Sequence, residues 1–319
     1  MNNRAKLTQT AMITVIAIGL CLASAYIPFL GLLALILPVP YAIISTTSGY
    51  KYALISAISS FFILVLTVDV VYALNLLIMC MLPGIAVGYR INQDSKVEDE
   101  NKSFTPIYFG TIAFILSIIV FFAMSKLLFN IDLLADISKT IKATVEAQFA
   151  VMESTNMMPK ENITAKDMIN MFQNMMPTVL FMYSIIASLI TYYVEAFILR
   201  KTKVLNYDLP KFSEFYLPGN AIVTSLILYL LVMFLAMLNI GLYTDSIMLN
   251  IQLVFSILFL IQGVSVSIYF IKRWKDKSPG KIVFAVIAVI LLSGSMILSF
   301  VGMLDSAIDF RKVRNYKST

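Results

Sequence analysis

Two acidic side chains are exceptional in a sequence that is otherwise strongly apolar. Glu195 lies near one end of a long apolar run, and Asp69 lies in a short turn between two other runs. A carboxylate inside a membrane costs several kcal/mol, so such a residue is a candidate for ligand binding. Glu195 either binds a ligand or pairs with Arg200 at the membrane surface. Asp69 either lines an outward-facing pocket or caps the helix that follows it.

The segment that contains Pro38, Pro40 and Tyr41 has the composition of an interrupted membrane helix. Prolines free backbone carbonyl groups, and helices broken at membrane depth line the substrate sites of many transporters. The hydroxyl groups that follow, in residues 45–48, are better explained as the turn at the inner end of this run. The sequence supports two interpretations of the prolines equally: a simple break in a helix, or, together with Tyr41, part of a ligand site.

The residues that several enzyme classes need are missing. The sequence has no histidine, which excludes His-containing metal sites and nucleophiles activated by histidine. It also has no Gly-x-x-x-x-Gly-Lys-Ser/Thr loop for binding nucleotide phosphates. Cys21 and Cys80 lie inside apolar runs and are typical of small buried side chains. Asp305 and Asp309, one helical turn apart, are best explained as a solvated helix end. We therefore expect no catalytic residues, no metal and no cofactor.

The composition predicts where the chain resides. Of its 319 residues, 60% are hydrophobic and 13% are charged, against roughly 45–50% and 25% in soluble domains. A helix needs about 20 apolar residues to cross a bilayer. We therefore predict an all-α integral membrane bundle of about nine transmembrane helices, with eight as the lower count. The candidate runs are 7–27, 29–47, 52–68, 70–89, 107–125, 177–199, 220–240, 248–271 and 282–304.

Basic residues predict a cytoplasmic N-terminus in the cell membrane. With this orientation most of the 24 Lys and Arg residues fall in inner segments, and the short outer turns have none. The loops 90–106, 200–219 and 272–281 are then inside, and the loop 126–176 is outside. Nine spans place the basic C-terminal tail outside, whereas a hairpin at the last run returns it to the cytoplasm. The net charge of +6 suits anionic membrane lipid and gives no case for nucleic acid.

The outer loop 126–176 has the pattern of two helices. Its first half carries an apolar stripe at steps of three or four residues, which predicts an amphipathic helix. Thr164 and Asp167 resemble a capping box at the start of the second helix. The loop is either a helical hairpin on the membrane surface or a lid over an outward pocket. The stripe consists of Ile137, Ile141, Val145, Phe149 and Met152.

Several short motifs together resemble one family. They lie at 38–41, 49–53, 83–84, 88–90, 302–306 and 309–312. On these motifs, the chain resembles the YybS-like family of predicted bacterial membrane proteins of unknown function over most of its length. This resemblance implies a membrane fold, but no biochemical activity.

The first six predicted spans in turn resemble the substrate-binding S components of energy-coupling-factor vitamin transporters. Those proteins have six spans with both ends in the cytoplasm. The resemblance implies an outward-opening pocket, a coupling membrane subunit and separate ATPases. Gly19 and Ala23 offer one small-x-x-x-small pair on the first helix for docking the coupling subunit, although the fuller alanine pattern is absent.

The organisation that follows has three parts. Residues 1–200 form the S-component-like core with the loop 126–176, residues 201–219 form a basic cytoplasmic linker, and residues 220–319 form a three-helix extension with a basic tail. The predicted function is a substrate-binding membrane subunit for uptake of an unidentified small molecule. The alternative is a non-transporting scaffold for a cell-envelope or signalling assembly. A ligand pocket among the first six runs would favour transport, and a dry packed core would favour the scaffold.

Overall fold

The computed structural model describes residues 3–27, 34–96, 104–155, 164–204, 210–217, 220–238, 243–273 and 296–312, together with Ile287 and Val289. These residues are almost entirely helical, and they contain no β-strand. Six helical segments among the described residues are long and apolar enough to cross a membrane, and one of them is the continuous stretch Val70–Asp94. The chain is thus an all-helical, multi-pass membrane protein, as predicted. The finer count of about nine spans is not confirmed.

The helices divide between two compact units. The first unit comprises Met1–Ile169 and Val179–Leu209, and the second comprises Asn170–Thr178 and Pro210–Thr319. The predicted boundaries at residues 200 and 219 stay predictions. The helices are α1 Asn3–Tyr26, α2 Pro38–Thr47, α3 Tyr50–Thr67, α4 Val70–Leu76, α5 Leu82–Asp94, α6 Thr105–Phe129, α7 Leu133–Ser154, α8 Ala165–Lys201, α9 Ala221–Met237, α10 Thr244–Arg273 and α11 Met296–Ile308. A π-helical turn at Leu77–Met81 joins α4 to α5.

The second predicted run is a short helix in the described residues. Its helix, α2, begins at Pro38 and has only ten residues, too few to span the bilayer alone. Pro38 and Pro40 lie in the first turn, where the N–H that proline lacks has no helical partner in any case. The prolines therefore start a helix here and do not interrupt one. Residues 29–33 of the predicted run lie outside the described residues.

Two glycines bring α2 into backbone contact with α5. A Cβ atom built at Gly84 would overlap the carbonyl of Pro38, and one built at Gly88 would overlap the carbonyl of Ala42. Glycines four residues apart permit this approach in membrane helices, where close packing replaces the hydrophobic effect. The contact fixes the position of α2, and with it the position of Tyr41.

The predicted amphipathic helix is present in the segment 126–176. In α7, Val145 and Phe149 of the predicted stripe are buried, and their neighbours on the opposite face are exposed. Asp132 caps the helix by accepting a hydrogen bond from the Ala135 N–H at 3.1 Å. That bond, aided by Lys126, lowers the pKa of Asp132 below its usual value.

The capping box at the start of α8 is also present. The hydroxyl of Thr164 accepts from the Asp167 N–H at 3.2 Å, and the carboxylate of Asp167 accepts from the Thr164 N–H at 3.1 Å. Both orphan donors of the first turn are thereby satisfied. The choice between a surface hairpin and a lid stays open.

In the second unit, α11 runs parallel to α10. Three contacts show this direction, because later residues of α10 contact later residues of α11. Ser299 donates to the Ser256 carbonyl, Gly302 contacts the backbone of Phe259, and Gln262 donates to Asp305. The first half of the predicted run 282–304, apart from Ile287 and Val289, lies outside the described residues.

The segment before α9 and the segment after α11 are in direct contact, so we expect both on one side of the membrane. Arg311 donates to the carbonyls of Ser213 and Phe215, each at 2.8 Å. Groups in hydrogen-bond contact cannot lie on opposite sides of a hydrocarbon core about 30 Å thick. We therefore expect an even number of crossings between these segments, where the sequence predicted three spans.

Cysteine labelling tests this topology. Lys211 and Lys312 are both exposed, so single cysteines there, in a background without Cys21 and Cys80, should react alike with an impermeant maleimide in whole cells. A cysteine at the exposed Tyr243, at the other end of α9, should give the opposite result. Labelling at only one of positions 211 and 312 would contradict the expected topology.

Candidate functional site

Tyr41 and Ser60 carry two of the buried hydroxyl groups in the first unit that lack a hydrogen-bond partner. Tyr41, in the first half of α2, has no exposed surface and packs with Cys21 of α1. Ser60 of α3 lies beside it and is also fully buried. Neither hydroxyl has full hydrogen-bond geometry within the described residues, although the Tyr41 hydroxyl lies close to Ser60 and to the Cys21 thiol. A buried polar group left unpaired costs about 1–3 kcal/mol, so this position favours a bound polar group.

The predicted ligand residues on either side of Tyr41 are packed against protein. Pro38 and Pro40 are buried in the first turn of α2. The carbonyl of Pro38 faces Gly84 across the contact with α5. The structure thus brings Pro38, Pro40 and Tyr41 together, but only Tyr41 presents an unpartnered polar atom. Cys21 and Cys80 are free and buried, as predicted.

Glu195 lies in a second polar cluster of the same unit, near the C-terminal end of α8. It is fully buried on α8, where its Oε1 atom lies 2.5 Å from the hydroxyl of Thr46 at the end of α2. The same hydroxyl lies 2.8 Å from the carbonyl of Gly88 on α5. The amide of Asn92 donates to the carbonyl of Thr46 at 2.5 Å. The partner of Glu195 is thus a hydroxyl, in place of the predicted Arg200.

Asp69 lies at the other end of the first unit. It is exposed, and its Oδ1 accepts from the Tyr72 N–H at 2.8 Å, which caps α4. Nineteen residues of continuous helix separate it from Gly88, or about 28 Å at 1.5 Å per residue. Asp69 and Glu195 therefore cannot line one pocket. Capping accounts for the contact that Asp69 makes, and its binding role stays a prediction.

The predicted docking residues lie on the outer face of α1. Gly19 is exposed, and a Cβ atom built there would meet nothing within 4 Å. Ala23 is half-buried one turn further along, and Met12 and Val15 on the same side are largely exposed. This face is open to lipid or to a partner helix. The opposite face packs inward through Ala17 and Cys21.

Family comparison agrees with the membrane architecture. The family described as predicted membrane protein, DUF2232, matches residues 15–306. The chain belongs to this family. It is also 25% identical over 299 residues to "Uncharacterized protein YybS" of Bacillus subtilis (strain 168), with 90% of each chain covered. The predicted YybS-like relationship is confirmed. No solved structure matches the chain.

The DUF2232 match includes most of both units, and the second unit has a polar centre that the sequence did not reveal. Arg311 and Asp305 are fully buried and form an ion pair at 2.8 Å. All five N–H groups of Arg311 have acceptors. They go to Asp305, to the carbonyls of Ser213 and Phe215, and to the hydroxyl of Ser265.

Further bonds close this centre. Gln262 donates to Asp305 at 2.9 Å and accepts from the Leu217 N–H at 3.2 Å. Tyr216 donates to the carbonyl of Ser306 at 2.8 Å. The interpretation of Asp305 as a solvated helix end is wrong, because its side chain is fully buried and paired with Arg311 and Gln262. Within residues 210–217 of the predicted basic linker, Ser213, Phe215 and Leu217 are buried in this centre, whereas Lys211 and Glu214 are exposed.

A shallow, open groove of about 600 Å³ runs along the exposed side of α7. Ala143, Ala147 and Val151 form one row of its lining, and Thr144 and Gln148 belong to the next. None of the predicted ligand residues lines this groove. Among the residues that the structure describes, no group of three acidic or cysteine side chains could hold a metal ion.

Proposed function

We propose that this DUF2232 protein is the substrate-binding membrane subunit of a small-molecule uptake system of the vitamin type. The observation that supports the proposal is the pair of unpartnered hydroxyls of Tyr41 and Ser60 inside an apolar bundle. Ligand sites combine mostly apolar walls with a few placed polar groups. A ligand with one or two polar atoms would satisfy both hydroxyls.

The proposal includes separate partners for energy. The sequence lacks a phosphate-binding loop, so ATP hydrolysis would belong to other subunits. The open face of α1 at Gly19 and Ala23 is suited to close contact with a coupling membrane helix. In this arrangement the N-terminus is cytoplasmic, the protein resides in the cell membrane, and it is not itself an enzyme.

The alternative is a membrane scaffold for a cell-envelope or signalling assembly. The observation that favours it is the backbone contact between α2 and α5 through Gly84 and Gly88. That contact leaves no space for a ligand between these two helices. Under this alternative, Tyr41 and Ser60 are core residues, and the exposed face of α1 binds an assembly partner.

Gentle purification from the native membrane, followed by native mass spectrometry, distinguishes the two functions. We expect the wild-type protein to retain a small molecule and to bring an ATPase pair with it. Tyr41→Phe removes only the buried hydroxyl, so occupancy should fall about tenfold, the effect of losing roughly 1.4 kcal/mol. Tyr50→Phe is the matched control, because Tyr50 is exposed and contacts Tyr89 through its ring.

Recovery of only envelope or signalling proteins, with neither an ATPase nor a small molecule, would reject uptake. Equal ligand retention by the Tyr41→Phe and Tyr50→Phe proteins would reject the site at Tyr41, because the ligand would then lie elsewhere.

A further inference from the structure

Glu195 is a carboxyl group with no exposed surface in a membrane protein. It precedes the end of α8 by six residues, or about 9 Å. A charged carboxylate is costly at such a position unless a cation neutralises it. Among the described residues, no lysine or arginine forms an ion pair with Glu195. The uncharged form, which carries a proton, is therefore the form that suits this position.

The number of hydrogen atoms available around Thr46 also indicates that Glu195 is protonated. Its hydroxyl has one hydrogen, but it contacts two oxygens: the carbonyl of Gly88 at 2.8 Å and Oε1 of Glu195 at 2.5 Å. A carbonyl can only accept. If Thr46 donates to Gly88, the contact with Glu195 needs a hydrogen from the carboxyl group. A protonated Glu195 then satisfies all three oxygens in one chain, from Glu195 through Thr46 to Gly88.

The second carboxyl oxygen supports this reading. Oε2 of Glu195 is buried and has no hydrogen-bond partner in the described structure. In a carboxylate this atom would carry about half of the negative charge. An unpaired buried group costs more when it is charged than when it is neutral. An unpartnered Oε2 is therefore better tolerated in the acid than in the anion.

The neighbouring elements leave this assignment intact. On α2 and in the first half of α6, the residues are uncharged. On α5, Arg90 pairs with Asp94 at 3.0 Å. On α8, Tyr193 has a buried hydroxyl without a partner in the described part of the chain, and Arg200 is exposed near the helix end.

We propose that Glu195 binds an exchangeable proton, which holds the end of α2 against α5 and α8. When the proton leaves, the O–H bond of the carboxyl group breaks and water at the inner surface accepts the proton. The Thr46 hydroxyl then turns to the carboxylate, because hydrogen bonds to charged acceptors are stronger. Gly88 loses its bond to α2. This site requires no small-molecule ligand, so it stands independently of the uptake proposal.

Infrared difference spectroscopy of the full chain in lipid nanodiscs tests the assignment. We expect the carbonyl band of a protonated carboxylic acid at neutral pH, which disappears in alkaline buffer. Glu195→Gln should remove the band, and Glu146→Gln, at an exposed acid, should leave it. If the wild-type and Glu195→Gln proteins have the same spectrum in this region, Glu195 is ionised and the proposal is wrong.

The Thr46 variants test the chain of hydrogen bonds without altering the acid. Thr46→Val should shift the frequency of the band, and Thr46→Ser should restore it, because serine keeps the hydroxyl. The unfolding temperature of the wild-type protein should fall in alkaline buffer, whereas that of Glu195→Gln should not. If sodium ions raise the unfolding temperature of the wild-type protein in alkaline buffer but leave that of Glu195→Gln unchanged, the site binds a cation, which would overturn the proton assignment. An unshifted band in Thr46→Val would also count against the proposal.

Discussion

Replacing Arg311 by methionine is expected to destabilise the second unit by about 3–5 kcal/mol, the usual result of removing one partner from a buried ion pair. Methionine leaves Asp305 charged, buried and without its cation. It also removes the donors that bind the carbonyls of Ser213 and Phe215. The segment before α9 should then detach. Limited proteolysis in detergent would detect new cleavage within residues 210–217.

Matched variants separate the buried pair from the loss of charge alone. Lys312→Met removes one positive charge at an exposed neighbour and should leave proteolysis unchanged. Arg311→Lys keeps the charge but supplies three donors instead of five. Its stability should therefore lie between that of Arg311→Met and that of Lys312→Met. Adding Asp305→Leu to Arg311→Met should recover part of the loss, because no unpaired charge remains. Equal stability of Arg311→Met and Lys312→Met would show that the pair contributes nothing.

Features that depend on neighbours along the chain were predictable from the sequence. The buried stripe of α7 follows from apolar residues at helical spacing, and the box at Thr164 and Asp167 follows from residue types three positions apart. The buried state of Cys21 and Cys80 follows from the apolar runs around them. Each of these patterns involves residues close together in the chain, so each can be recognised from a single sequence.

Features that depend on distant partners were not predictable. Asp305 lies next to a basic tail, which suggested solvent, but its partners include Gln262, 43 residues away. Ser60 is one hydroxyl within an apolar run, and no local pattern marks it as the neighbour of Tyr41. The contact of Thr46 with Glu195 joins residues 149 positions apart. In each case the environment of the side chain depends on burial beside a particular distant group. That proximity exists only in the folded chain.

The spacing of the two glycines of α5 is visible in the sequence, although there it indicated only a family resemblance. Gly84 and Gly88 have the spacing that permits close helix packing in membranes. We therefore expect Gly88→Ala to be strongly destabilising. Its new methyl group would overlap the carbonyl of Ala42, and a backbone carbonyl cannot move aside as a flexible side chain can. Overpacking typically costs about 1–3 kcal/mol, and here the Thr46 bond to Gly88 is displaced as well.

Gly19→Ala provides the control, since the same chemical change occurs where a Cβ atom meets nothing within 4 Å. Alanine is also the better helix former, by about 1 kcal/mol in soluble helices. Thermal unfolding in detergent should therefore show a lower unfolding temperature for Gly88→Ala and an unchanged or higher one for Gly19→Ala. Equal unfolding temperatures would mean that α2 and α5 can separate without loss. In that case the closed packing would no longer favour the scaffold, because the same interface could open around a ligand.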